Sequence, residues 1–119
     1  MVRSSQWRVT WLTDTPLSVP ENELLNKMAL AMRLPVGVTQ IHSGRSLDNL
    51  QATDLLIVLG LSTAEALKLP KVEPGKVQWT TDVTSPILLT HHPRELLAEP
   101  ALKRQSWTQL QVAMAYLKL

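Results

Sequence analysis

The sequence predicts an α/β domain in three layers, α/β/α, around a mostly parallel central sheet. Three observations carry that expectation. The run Leu55-Leu56-Ile57-Val58-Leu59 is apolar on both alternating faces, as a central strand covered by helices on both sides requires. Strand-like and helix-like segments alternate along the chain, which favours right-handed crossovers and parallel pairing. A closing segment carries Leu102, Trp107, Leu110, Met114 and Leu117 on one helical stripe, with Lys103, Arg104, Gln109 and Gln111 elsewhere, so it reads as an amphipathic helix docked on the sheet with Trp107 in the core.

The elements follow in order. Arg8 to Leu12 alternates and is rich in β formers, and Thr13, Asp14, Thr15 and Pro16 end it as a turn. Ser18 and Glu21 stand at capping-box spacing, and Pro20 occupies a first turn in which no amide hydrogen is needed. Leu24, Leu25, Met28, Ala31 and Met32 then repeat at helical period, predicting a helix to about Arg33 that Pro35 stops. Val36 to Ile41 reads as a second strand. The segment from His42 to Asn49 is loop-like, with Leu47 and Leu50 on a short helix. Gly60 ends the central strand, Ser62 and Glu65 form a second capping box, and Pro70 closes that short helix. Pro74-Gly75 is a turn, Val77 and Trp79 suggest a strand, and Ile87 to Leu89 a last buried one.

At 119 residues the chain is expected to form one domain, 1–119, with no internal repeat, no low-complexity segment and no linker. Twelve basic against ten acidic side chains give a net charge of +2, too small to indicate phosphate capture by field alone. Cysteine is absent, which excludes disulfides, zinc-thiolate sites and iron–sulfur clusters and leaves a cytoplasmic location as the expectation. No apolar run approaches the roughly 18 residues of a membrane span, and Met1 to Arg8 is too polar for a signal peptide. His42, His91 and His92 lack a carboxylate or cysteine at ligand spacing, so neither a metal nor another cofactor is expected.

The stretch Leu88-Leu89-Thr90-His91-His92-Pro93-Arg94-Glu95-Leu96-Leu97, followed by Pro100 to Arg104 and Trp107, is similar to a strand, a Thr-Tyr-His-Pro-Ser type motif, a Leu-Leu helix turn, an Asn-Pro segment and a final helix with Trp. Leu24 to Met28 matches a helix after a first motif, and Leu56 to Gly60 with Thr63 to Leu67 a central strand and its helix. In this order the pieces resemble the uracil-DNA glycosylase superfamily, above all its bacterial family 4 branch, over nearly the whole chain. The resemblance implies a uracil-DNA glycosylase-like fold. It also exposes departures. Where the enzymes have a Gly-Glu-Ala-Pro-Gly type loop around the flipped base, this chain has Thr13, Asp14, Thr15, Pro16 and Leu17, whose side chains would fill the pocket. The base-reading Asn segment is matched only by Gln40, Ile41, His42 and Ser43, and the cluster cysteines are missing.

A scaffold without its site resembles the psi-subunit family of the bacterial DNA polymerase III holoenzyme. Ser85-Pro86-Ile87-Leu88, Leu96-Leu97, Glu99-Pro100 and Trp107 are similar to that family's closing segment. The resemblance implies a non-catalytic subunit of the replication machinery that binds a chi-like subunit and, through an N-terminal arm, the tau or gamma subunits of the clamp loader. Only Met1 to Trp7 precede the first strand, so that arm is expected to be absent or much reduced. The alternative is a minimal uracil or mismatch DNA glycosylase acting in base-excision repair, and a third reading is a glycosylase-like binding domain of another kind.

His92 matches the family's charge-stabilising histidine, yet a histidine at a strand-to-helix turn also serves as a hydrogen-bonded structural residue. Asp14 stands at the water-positioning acid, or is a turn residue accepting backbone amides. Both are vestigial candidates only, and His91 is expected to be exposed. Arg94, Lys103 and Arg104 could touch phosphate or simply form a solvated helix face. Trp7 and Trp79 are candidate partner anchors, since aromatic side chains often dominate interfaces, or are ordinary rim packing.

Overall fold

A computed structural model describes residues 7–34, 37–44, 46, 53–69, 72–79 and 85–118. The elements are β1 (Trp7–Thr13), α1 (Val19–Ala31), β2 (Thr39–Ser43), β3 (Thr53–Leu59), α2 (Leu61–Ala66), β4 (Ile87–Thr90), α3 (Pro93–Ala98), a 3-10 turn (Pro100–Leu102) and α4 (Lys103–Leu117). The strands form one four-stranded sheet in the order β2-β1-β3-β4, and every pair of neighbours is parallel. The chain steps from β1 out to β2, then returns across β1 to β3 and moves on to β4. That reversal places a topological switch point at the carboxyl ends of β1 and β3, where open α/β sheets ordinarily bind ligands.

Two apolar cores share the sheet, which is the physical reason for the doubly apolar central strand. Val9, Trp11, Leu55, Ile57, Leu59 and Leu88 face α1, α3 and α4. Leu12, Leu56, Val58, Ile87 and Leu89 face Ala64 of α2 with Leu67 and Leu69 beyond it. No helix among the described residues is long and apolar enough to cross a membrane.

Local chemistry sets the helix ends. Ser18 and Glu21 make the expected capping box: the Ser18 hydroxyl accepts the Glu21 N–H and the Glu21 carboxylate accepts the Ser18 N–H. At its other end α1 stops at Ala31, two residues short of expectation. Arg33 takes a left-handed conformation and donates its N–H to Leu30, while the Leu34 N–H returns to Ala29. This is a Schellman motif, and Leu34 is buried beneath it. α2 ends the same way, with Lys68 left-handed, its N–H on Glu65, and the Leu69 N–H on Ala64. The repeated Arg-Leu-Pro and Lys-Leu-Pro triplets at 33–35 and 68–70 are thus stop signals whose action begins before the proline. α4 is fastened by Arg8, whose guanidinium donates to the Leu117 carbonyl and pairs with Asp54 at 3.0 Å.

Several expectations are corrected. β2 runs from Thr39 to Ser43 and not from Val36 to Ile41, with Val36 outside the described residues. An edge strand needs only one paired side, so polar Gln40, His42 and Ser43 suit it. Ser62 and Glu65 do not cap α2, because the helix starts directly after Gly60, which has no side chain to offer. Val77 and Trp79 form no strand. Gln78 makes one antiparallel bridge to Ile87 and Pro74 one parallel bridge to Leu89, padding the β4 edge where proline cannot extend a ladder. The buried stripe of α4 is Ser106, Gln109, Leu110, Ala113 and Leu117, so Gln109 is inside and Trp107, 37% exposed, lies at the margin. The helix turns this way because the buried Thr90 hydroxyl takes its partners from Ser106 and Gln109. The expected helix around Leu47 and Leu50 lies outside the described residues.

The sign of two glycine substitutions follows. Gly60 has φ +87 and ψ 151, and an added Cβ would meet Glu95 Oε1 at 2.9 Å and His92 Cβ at 3.1 Å. Gly60→Ala is therefore expected to cost at least about 2 kcal/mol in urea unfolding. Lys68→Gly removes a left-handed strain from an exposed position and is expected to gain about 0.5–1 kcal/mol by the same measurement.

Candidate functional site

The switch point gathers residues from four elements. β1 ends in Thr13, with Asp14 just after it, Gly60 follows β3, and β4 leads through His91 into His92, the N-cap of α3; Thr63 comes from the first turn of α2. His92 is wholly buried. Its Nδ1 accepts the Arg94 N–H at 2.9 Å, and its own N–H donates to Glu95 Oε1 at 3.1 Å, a capping box built on a histidine. An Nδ1 that accepts leaves the neutral ring's proton on Nε2. Nε2–H therefore donates to Thr13 Oγ1, 3.0 Å away, and the Thr13 hydroxyl passes its hydrogen to the Thr15 carbonyl at 2.9 Å.

Burial, helped by the Arg94 guanidinium and opposed by Glu21, Asp14 and Glu95, pushes the ring below the ordinary histidine range and keeps it neutral. Both nitrogens are thereby committed. A histidine that stabilises developing negative charge must aim an N–H at open space, and this N–H is aimed at Thr13. Asp14 is engaged as well. Its N–H donates to Thr63 Oγ1 at 3.1 Å, and that hydroxyl donates to Asp14 Oδ1 at 3.2 Å, tying the end of β1 to α2.

Of Thr13, Thr15 and Leu17, Thr13 is the one that fills the space before His92. Thr15 is exposed, and Leu17 turns to the core beside α1. Gln40 sits within edge strand β2 and donates to Thr10 Oγ1 at 3.0 Å. His91, expected to be exposed, is partly covered and stands between Glu95 at 3.3 Å and Gln105 at 2.9 Å.

The three basic candidates separate. Arg94 reaches back to Ser62 of α2 at 3.5 Å, Arg104 is exposed in the first turn of α4, and Lys103 lines an apolar groove of about 170 Å³ between α1 and α4 with Leu24, Lys27, Met28 and Trp107. Trp79 is 66% exposed; Trp7 is half-buried at the start of β1, its carbonyl accepting from Thr53. Among the described residues no group of three metal-ligating side chains assembles.

Sequence reading missed Thr63 as the partner of Asp14. Its position three residues after a strand-ending glycine was the available signal. No protein-family model matches the chain, and no curated protein matches it.

A pH dependence follows from the buried imidazole. The unfolded chain binds a proton at this ring near the ordinary value of 6.5, whereas the native ring takes one only at lower pH. Its contribution is complete above about 6.5 and is lost as pH falls from there through the native value. His92→Asn keeps an acceptor for the Arg94 N–H and abandons Thr13. It is expected to cost about 1–3 kcal/mol near neutrality. In urea titrations across that window it should also flatten the fall in stability relative to the parent chain.

Proposed function

We propose that this chain is a non-catalytic, protein-binding α/β domain of the psi type, working in the cytoplasm as a replication subunit that bridges a chi-like subunit and the tau or gamma subunits of the clamp loader. The observation that carries the reading is the occupied switch point. Thr13 stands hydrogen-bonded against a neutral His92 in the place where a base-excising relative needs room and a free N–H donor. The all-parallel order β2-β1-β3-β4 and the His-Pro turn at the end of β4 are compatible with a glycosylase-like scaffold kept for its shape. Trp79, largely exposed beside the β4 edge, is the side chain we assign to a partner contact.

Two measurements test this. The purified chain is expected to co-elute with a chi subunit at micromolar concentration, and Trp79→Ala to weaken the complex at least about ten-fold, as a hot-spot aromatic does. Separate elution of the two proteins would overturn the assignment. Incubated in excess with uracil-, hypoxanthine- or mismatch-containing DNA, the chain is expected to leave no abasic product. Product that disappears in His92→Asn would establish the glycosylase alternative instead.

A further inference from the structure

α1 and α4 cover the same face of the sheet and leave between them the apolar groove of about 170 Å³, with the buried Leu96 of α3 and Leu110 of α4 beneath it. Its α1 bank presents Leu24, Lys27 and Ala31 on one helical face, and its α4 bank presents Lys103 and Trp107 one turn apart. Trp107 stays 37% exposed because the buried Thr90 hydroxyl holds Ser106 and Gln109 inward, so the helix cannot turn its indole down into the core. Both charged side chains on the banks are lysines. Lys27 and Lys103 are exposed, and among the described residues neither is ion-paired and no carboxylate lines the groove.

An apolar trough with an indole at its edge gains from being covered, and its chemistry selects what covers it. The volume lies below the roughly 300–1,000 Å³ of small-molecule sites and suits an anchoring side chain better than a whole ligand. The banks are the middles of two helices, whose backbone groups are already bonded within the helix. They therefore offer nothing to the N–H and C=O groups of an extended peptide, whereas a helix brings its own backbone satisfied. Lysine on both banks calls for carboxylates on the occupant. It also disfavours a second copy of this chain, since groove against groove across a two-fold axis would set lysines against lysines.

We propose that the groove between α1 and α4 docks an acidic amphipathic helix of a protein partner. The apolar ridge of that helix, spaced i, i+3, i+4 and i+7, enters between Leu24 and Trp107, and carboxylates on either side of the ridge meet Lys27 and Lys103. Exposed ion pairs of this kind add little affinity and much selectivity, so Trp107 carries the binding and the lysines carry the choice of partner. The inference rests on the protein-binding reading but uses neither Trp79 nor a chi-like subunit, so the two can fail separately.

The probes are two fluorescein-labelled synthetic helical peptides with leucine at i, i+3, i+4 and i+7, one carrying glutamate at the flanking positions and the other lysine. Fluorescence anisotropy with the full chain is expected to show saturable binding of the glutamate peptide at micromolar concentration. The lysine peptide is expected to bind at least about ten-fold more weakly, with the difference shrinking as salt is raised. Trp107→Ala is expected to weaken the glutamate peptide at least about ten-fold, and Trp79→Ala to leave it unchanged. The double variant Lys27→Glu, Lys103→Glu alters exposed side chains only and is expected to reverse the preference, which keeps the test decisive where Trp107→Ala does not fold. No saturable binding of the glutamate peptide, equal affinity for the two peptides, or the parent preference retained in the double variant would each overturn the proposal. So would sedimentation revealing a dimer that Trp107→Ala dissociates, which would assign the groove to a second copy. Separate elution from a chi subunit with peptide binding intact would overturn the replication role and leave the groove's assignment standing.

Discussion

A buried imidazole held in one tautomer by a backbone N–H of its own helix organises the carboxyl end of this sheet. Because the Arg94 N–H claims Nδ1, the ring proton is forced onto Nε2, and because Nε2 points across the sheet it must find an acceptor at the end of β1. Thr13 supplies that acceptor and has its own acceptor in Thr15. One short relay therefore couples β1, β4 and α3, which are otherwise distant in sequence, with no charge in the apolar interior. The arrangement also fixes what stands beside it. Gly60 follows β3 where His92 and Glu95 leave no room for a Cβ, so packing and the positive φ there each call for glycine.

The rest of the fold follows from covering a parallel sheet on both faces. β1 and β3 divide their side chains between two cores, and the helices must end abruptly for the chain to return to the next strand. Left-handed Arg33 and Lys68 accomplish that at some conformational cost, offset by the burial of Leu34 and Leu69 and by a cation placed at each helix's carbonyl end. Arg8 does similar work at the end of α4, where its guanidinium meets a terminal carbonyl and the Asp54 carboxylate together.

What the sequence made legible was whatever is determined locally or by burial on two sides. The Leu55 to Leu59 run could only be an interior parallel strand, and Ser18 with Glu21 could satisfy a helix start without any tertiary partner. What it hid was determined by partners far along the chain. Trp107 and Gln109 were exchanged between surface and core because hydropathy alone rotates α4 toward its tryptophan, whereas the actual rotation answers the buried hydroxyl of Thr90. β2 was misplaced because an edge strand carries little apolar signal. At the candidate site, His92 and Asp14 both lie at the switch point, and of Thr13, Thr15 and Leu17, all expected to fill the space there, only Thr13 does so. Thr63 escaped because its pairing with Asp14 depends on how α2 is set against β1.

Closure of the switch point differs from a closed lid. Thr13 lies inside the ladder, in register with Ser43 of β2, and its carbonyl accepts the Gly44 N–H at 3.0 Å, so its backbone cannot swing aside without opening the sheet edge. Rotating only its side chain would strand the His92 N–H and the threonine hydroxyl in an apolar surround, at about 1–3 kcal/mol for each unpaired group. An entering ligand would have to replace both bonds and also find volume that Thr13 occupies.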